Sequence, residues 1–284
     1  METTIKNEYV TAVISQQAAE VISFKDNKTD IETVWCRDPQ YWYNCNPILF
    51  PFVGPLIDNK FIYDGKEYSM TQHGFVRRAR FELVQIKKDE VTLSLKSSTE
   101  TLEKYPFEFD LTVRYFLDGY KLNMEYSITN FSDKEMPFNV GFHPAFNCPS
   151  YDDEKYKECY IEFPQDERLS ANVNQINLKD GNKFYLIDAI NEEYEEVFFR
   201  DGIIKSDTVT LHTPDFSINV CKKDYDVLGF WRKRPSAPFV CVEPQFPSNT
   251  LKKDRTFRPD SDNNLLNPNE TFKFSYYWQL SVAK

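Results

Sequence analysis

Only three histidines occur in the 284 residues, His73, His143 and His212, so the surroundings of each can be weighed one by one. Histidine is the side chain whose ordinary pKa lets it give and take protons near neutrality. His73 lies in Gln72-His73-Gly74-Phe75-Val76-Arg77. There Gly74 permits close backbone approach, and the Arg77 guanidinium can hold an oxygen-rich ligand. His143 lies in Asn139-Val140-Gly141-Phe142-His143-Pro144-Ala145-Phe146, at the end of an apolar strand that Pro144 stops. Glu243 follows the apolar run Ala237–Val242 and precedes Pro244, so it is expected to emerge where a buried strand ends. Burial raises a carboxyl pKa and makes the group a useful base near neutral pH. A histidine and a carboxylate of this kind suit a reaction that removes one proton and delivers another. Each also has a structural reading: a hydrogen-bonded histidine at a strand end, or a glutamate salt-bridged at a sheet rim. His212, in an alternating run beside Thr213-Pro214, is read as structural.

Other chemistries lack their residues. The sequence contains no G-x-S-x-G elbow, and neither G-x-x-x-x-G-K-[ST] nor G-x-G-x-x-G occurs, which argues against serine hydrolysis and nucleotide folds. The histidines are far apart and have no H-E-x-x-H or H-x-H spacing, so no metal site is expected from sequence, and no cofactor. Cys36, Cys45, Cys148, Cys159, Cys221 and Cys241 are dispersed without a C-x-x-C pair and read as buried, reduced thiols.

The elements that must position these groups are strands. Four of the eight glycines follow aspartate, at Asp64-Gly65, Asp118-Gly119, Asp180-Gly181 and Asp201-Gly202, the dipeptide that favours tight hairpin turns. Around Asp118-Gly119 the flanks alternate, with Leu111, Val113 and Tyr115 before the turn and Leu122, Met124, Tyr126 and Ile128 after it. That pattern predicts a long antiparallel hairpin with one buried face. A shorter hairpin is expected about Asp64-Gly65. Further strands are expected at Val91–Leu95, Val209–His212, Ser217–Val220, Phe239–Val242 and Phe272–Ser281. Helix spacing is confined to Thr101–Tyr105 and Asp152–Glu158, and Lys252–Glu270 reads as a polar surface excursion. With no internal repeat or linker, residues 1–284 read as one all-β domain, a large antiparallel β-sandwich.

Composition sets bounds on partners. Hydrophobic residues make up 41% of the chain, with 24 Phe and 17 Tyr, enough apolar surface for a folded core. The 34 basic and 44 acidic residues leave a net charge of -10, which disfavours nucleic acid and anionic membranes as partners. The amino-terminal residues lack a signal-peptide core, and no run of about 18 apolar residues occurs, so a cytoplasmic location is expected.

Four landmarks, in order, are Asn46-Pro47-Ile48-Leu49-Phe50-Pro51-Phe52-Val53-Gly54, Gln72-His73-Gly74-Phe75-Val76-Arg77, Gly141-Phe142-His143-Pro144 and Phe239-Val240-Cys241-Val242-Glu243-Pro244. Together they span most of the chain, and in them it resembles the aldose 1-epimerases, or galactose mutarotase-like proteins, in particular their bacterial branch. The resemblance implies the supersandwich of that family, with an open sugar-binding cleft and metal-independent exchange of hexose anomers. It implies Glu243 as general base and His143 as general acid. His73, Arg77, Asn46 and Asp226 become substrate binders, with Trp231 as an aromatic wall against the sugar ring. Two departures bear on substrate preference: Pro55, where many relatives have an arginine, and Gln245-Phe246-Pro247, where relatives often carry a tryptophan and a nearby glycine. The rival readings are a hexose-6-phosphate 1-epimerase, whose phosphate would fall to Arg77, Arg78, Arg80, Arg232, Lys233 and Arg234, and a non-catalytic carbohydrate-binding or sensor protein. Glycoside hydrolysis ranks last because it normally calls for two carboxyls and only one is well placed.

Overall fold

The hairpin about Asp118-Gly119 is the longest feature of a computed structural model that describes residues 1–167, 182–192, 195–200, 204–246, 256–257 and 264–282. Phe109–Asp118 and Lys121–Asn130 pair antiparallel with Asp118 opposite Lys121, and all seven alternating apolar residues named above are buried. Thr271–Val282 pairs along the far side of Lys121–Asn130. These three strands lie within a nine-stranded antiparallel sheet. Its order is Lys183–Tyr185, Tyr160–Glu162, Thr208–His212, Phe216–Cys221, Thr271–Val282, Lys121–Asn130, Phe109–Asp118, Glu90–Lys96 and Glu82–Ile86.

A second antiparallel sheet runs in the order Glu196–Phe199, Val227–Trp231, Phe239–Gln245, Gly141–Phe142 and Ile48–Leu49, with Ala145–Asn147 also paired to Phe239–Gln245. The two sheets meet through aromatic side chains. The Phe142 ring lies 4.6 Å from Tyr126 and 4.7 Å from Tyr276, and Phe146 stands edge-on to Trp278 at 5.0 Å. Burying each such ring stabilises the fold by about 2 kcal/mol, which is what closes the sandwich. A three-stranded sheet, Glu2–Lys6, Val10–Ser15 and Val21–Asp26, adds Phe24 against Trp278.

The turn at Asp64-Gly65 has both residues at positive φ, 50° and 73°, the arrangement a two-residue hairpin needs to match strand twist. Asp180-Gly181 and Asp201-Gly202 lie outside the described residues. The helical expectations are met by an α-helix at Thr99–Lys104, closed by a Ser98–Thr101 capping box, and by a 3-10 helix at Glu154–Glu158. Among the described residues three further short turns of helix occur, Ile57–Asn59, Val76–Arg78 and Leu186–Ala189, each too short for a periodic signal.

Lys252–Glu270 is more than a surface excursion. Asn264–Leu266 pairs with Met136–Phe138, and Phe257 is buried with its ring 4.5 Å from Phe52; residues 252–255 and 258–263 lie outside the described set. The six cysteines are free, but Cys36 is exposed and Cys221 only half-buried, contrary to the expectation that all six are buried. Among the described residues no helix is long and apolar enough to cross a membrane.

Candidate active site

The floor of the site is the central strand Phe239–Gln245. Side chains alternate across a strand, so Val240 and Val242 share one face while Phe239, Cys241, Glu243 and Gln245 share the other. Phe239 lies against Trp42 and Trp231, and Glu243 and Gln245 line a cleft of about 510 Å³. Contrary to the sequence expectation, Glu243 does not stand at a strand end. Pro244 sits inside the strand, opposite Leu228. Gly141 pairs with Gln245 and Ala145 with Cys241, leaving a gap between those two short strands, and this register sets Pro244 opposite Phe142, where the ladder forgoes one bond. The same register carries across the gap and sets His143 opposite Glu243. Cross-strand neighbours have Cβ atoms about 5 Å apart, and this places an imidazole next to a carboxyl.

His143 Nε2 lies 3.3 Å from Glu243 Oε1, without the alignment of a hydrogen bond. The other carboxylate oxygen, Oε2, accepts a hydrogen bond of 2.9 Å from the Gln245 side-chain amide. Among the described residues Glu243 Oε1 and His143 Nδ1 have no hydrogen-bond partner although both are buried. Burial pushes the Glu243 carboxyl well above its ordinary range, Glu196 adds to this, and the Gln245 amide opposes it. Burial drives the His143 imidazole well below its ordinary range, helped by the His73 ring and the Arg77 charge. The two shifts have one cause: an isolated charge is costly in this dry site. A pair holding one proton between carboxylate and imidazole carries no net charge, and is the form such a site favours. Trp42 and Trp231 enclose the imidazole at 4.8 and 5.1 Å.

His73 enters from the opposite wall in a constrained conformation. Its φ is 65°, a region that bulky residues rarely occupy. Two hydrogen bonds hold it there: the His73 N–H donates to the Gly54 carbonyl at 3.0 Å, and the Gly54 N–H donates to His73 Nδ1 at 3.1 Å. With Nδ1 accepting, the neutral ring carries its proton on Nε2, and the Gln72 side-chain amide 3.1 Å away must then turn its oxygen to the ring to accept it. Burial, assisted by Arg77, lowers His73 to about 4, so the ring is neutral at physiological pH. The next residue must be glycine: Gly74 has φ 72°, and a Cβ there would run into the Phe50 carbonyl. Arg77, on the 3-10 turn Val76–Arg78, is half-buried, and its Nε has no partner among the described residues.

The cleft thus brings together His143, Glu243, His73, Arg77 and Trp231, together with the two departures Pro55 and Gln245. It does not include the other two expected binders. Asn46 is buried behind the wall, where its backbone N–H donates to Glu20 at 3.2 Å; its neighbours Asn44 and Pro47 face the cleft instead. Asp226 precedes Val227–Trp231 with the parity of Leu228 and Phe230, opposite to that of Trp231, and it lines a small niche with Lys222 and Tyr225. Of the six cations considered for a phosphate, only Arg77 and Lys233 reach the cleft. Arg232 is buried over the Tyr156 ring, Arg234 donates to the Gln40 carbonyl, and Arg78 and Arg80 face another cavity. That cavity, about 810 Å³, is larger, but it contains neither histidine nor Glu243; the candidate proton-transfer groups line the smaller cleft.

Sequence reading missed Trp42, Tyr43, Glu196, Phe198 and Arg200, which also line the cleft. Two signals could have found them. Tyr41-Trp42-Tyr43 is an aromatic cluster directly before the first landmark, and Glu196, Phe198 and Arg200 recur with period two along an edge strand.

The family model described as aldose 1-epimerase matches residues 1–277. Protein LacX, encoded on a plasmid of Lactococcus lactis subsp. lactis, is 32% identical over 294 aligned positions, covering 97% of this chain and 98% of LacX. A galactose mutarotase related enzyme from Lactobacillus acidophilus superposes with a TM-score of 0.87 at 30% identity, covering 99% of this chain and 97% of that one. A galactose mutarotase-like protein from Lactobacillus casei ATCC 334 superposes with a TM-score of 0.85 at 26% identity, covering 99% of this chain and all of the other.

Proposed function

Because the chain belongs to the aldose 1-epimerase family, we propose that it interconverts the α and β anomers of a hexose by acid–base ring opening. The observation that carries this reading is the 3.3 Å approach of His143 Nε2 to Glu243 Oε1 on the floor of the aromatic-walled cleft. Anomer exchange acts on two oxygens bonded to one carbon, the C1 hydroxyl and the ring oxygen, so its acid and base must sit side by side. Glu243 takes the proton from the C1 hydroxyl as His143 gives one to the ring oxygen, and the C1–O5 bond breaks. Rotation about C1–C2 in the open aldehyde, followed by closure with the roles reversed, yields the other anomer. Each turnover returns both protons, so no cofactor is consumed. The raised carboxyl of Glu243 makes its ionised form a strong base, while the Gln245 amide holds Oε2 and leaves Oε1 for the reaction.

His73 supports binding: its neutral ring presents an Nε2–H donor to a sugar oxygen without adding charge beside His143. Trp231 and Trp42 offer apolar faces to the pyranose. Hydrolysis fits less well, because the partner of Glu243 is a histidine and the other cleft carboxylate, Glu196, is solvent-exposed. A phosphorylated hexose is the second reading, favoured by Arg77 and Lys233, which line the cleft with no carboxylate at salt-bridge distance among the described residues. Polarimetry of freshly dissolved α-glucose and α-galactose, with and without protein, tests the first reading, and magnetisation-exchange NMR on glucose 6-phosphate tests the second. Acceleration of a free sugar supports ring opening at this site. No acceleration with any of the three would move the assignment to a sugar-binding or sensor role.

A further inference from the structure

Cys241 lies two residues before Glu243 on the same face of Phe239–Gln245 and has no part in the proton transfers above. Its thiol sulfur, a carboxylate oxygen of Glu243 and a ring nitrogen of His143 all lie within 4.8 Å of one another, and all three residues are buried. No other trio of potential ligands comes this close among the described residues. We propose that these three side chains form a binding site for a borderline-soft divalent cation, zinc being the type, and that metal at this site switches off the acid–base pair.

Sulfur, imidazole nitrogen and carboxylate oxygen are the donors zinc prefers, with bonds of about 2.0 to 2.3 Å that place tetrahedral ligands about 3.3 to 3.7 Å apart. The His143–Glu243 separation is already 3.3 Å. The widest gap, at most 4.8 Å, must close by about 1 Å, within reach of a side-chain rotation at Cys241 or Glu243. Glu243 Oε1 is buried without a partner among the described residues, so the carboxylate has coordination capacity to spare. Trp42 packs over the His143 ring and Phe239, screening the floor.

Charge selects the ion. A thiolate, a carboxylate and a neutral imidazole carry two negative charges, so a divalent cation leaves the buried site neutral where a monovalent one does not. As the ion enters, Cys241 releases its thiol proton and the His143–Glu243 pair releases the proton it holds, so two protons leave for two positive charges gained. With nitrogen and oxygen bound to metal, neither group can exchange a proton with the sugar. The inhibition rests on the proposed function, whereas the binding does not.

The test uses full-length protein stripped with a chelator and titrated with cobalt(II) and then zinc. The expected result is one equivalent of cobalt with a thiolate-to-metal charge-transfer band, displaced by zinc, and reversible zinc inhibition of anomer exchange. In Cys241→Ser the band should vanish and zinc Kd should rise about tenfold or more, with basal turnover unchanged and inhibition shifted to correspondingly higher zinc. Cys241→Ala, checked for folding by circular dichroism, serves if the serine is not accepted in the core. A wild-type protein with no thiolate band, or zinc binding equally tight in the Cys241 variants, would overturn the site. The cobalt band is read without turnover, so absence of epimerase activity leaves this test standing.

Discussion

Two glutamates, one on each sheet, show how the halves of the sandwich differ. Glu90 begins a strand of the nine-stranded sheet and is bound by Arg114 and by Lys87 at 2.9 Å. Hydrogen bonds from those cations, Arg114 foremost, hold its carboxyl down at about 2. Glu243, in the middle of the six-stranded sheet, has no cation at salt-bridge distance among the described residues other than the His143 ring, and burial pushes its carboxyl up. The nine-stranded sheet is centred on the long alternating strands Phe109–Asp118 and Lys121–Asn130, and Glu90 beside them finds two cations. The six-stranded sheet is interrupted at His143-Pro144, carries a proline within its central strand, and faces a histidine with positive φ. A paired carboxylate is fixed in one charge state. One left with only a histidine can change its state, and that is the property catalysis uses.

The sharpest way to break this contrast is at Glu243. Glu243→Gln should lower turnover by about a thousandfold, while the melting temperature holds or rises because the amide carries no charge to desolvate. A large loss of stability with turnover intact would make Glu243 the structural residue and remove the contrast. Leu111→Ala in the regular sheet should do the reverse, lowering unfolding free energy by about 3 kcal/mol in denaturant titrations while leaving kcat of the folded enzyme unchanged. His73→Gln should raise KM about tenfold with little change in kcat, since it removes a binding donor worth about 1.4 kcal/mol.

That variant also sharpens the pH behaviour. His73 is neutral in the folded protein down to about 4, whereas its ordinary value is 6.5. The unfolded chain therefore binds the extra proton first. Stability from this source is complete above pH 6.5 and is lost as pH falls toward about 4, so His73→Gln should flatten the fall of melting temperature across that window. The smallest effect is expected at Glu90→Gln, about 1 kcal/mol, because Arg114 and Lys87 are largely solvated. Since the folded carboxyl is depressed to about 2 from 4.5, this contribution exists above pH 4.5 and fades as pH falls toward 2. Wild type and variant should then converge in melting temperature at the acid end.

Much of the regular sheet was legible along the chain. Period-two alternation from Leu111 to Ile128 is a local property of a strand with one wet face, so it survives without knowledge of partners. The acid–base candidates were legible too, because three histidines and one glutamate framed by apolar residues and prolines leave few choices. Asn46 and Asp226 failed for a physical reason: which way a side chain points depends on strand parity and on what lies behind it, and each belongs to a face turned from the cleft. Pro244 misled for a related reason, since the strand runs through it on the pairing of Glu243 and Gln245 with Val227–Trp231, which its missing N–H leaves untouched.

An all-β chain, the positions of its long hairpins, the family, and the residue types available for proton transfer are all written along the chain. Those features depend on alternation, turn chemistry and composition, which neighbours in the chain impose on one another. Folding is what sets His143 opposite Glu243, lets Gln245 hold one carboxylate oxygen, brings His73 into the same cleft, and leaves Cys241 within reach of the pair. The reason is register: residues a hundred positions apart become neighbours through hydrogen bonding between strands, which no local stretch of chain encodes.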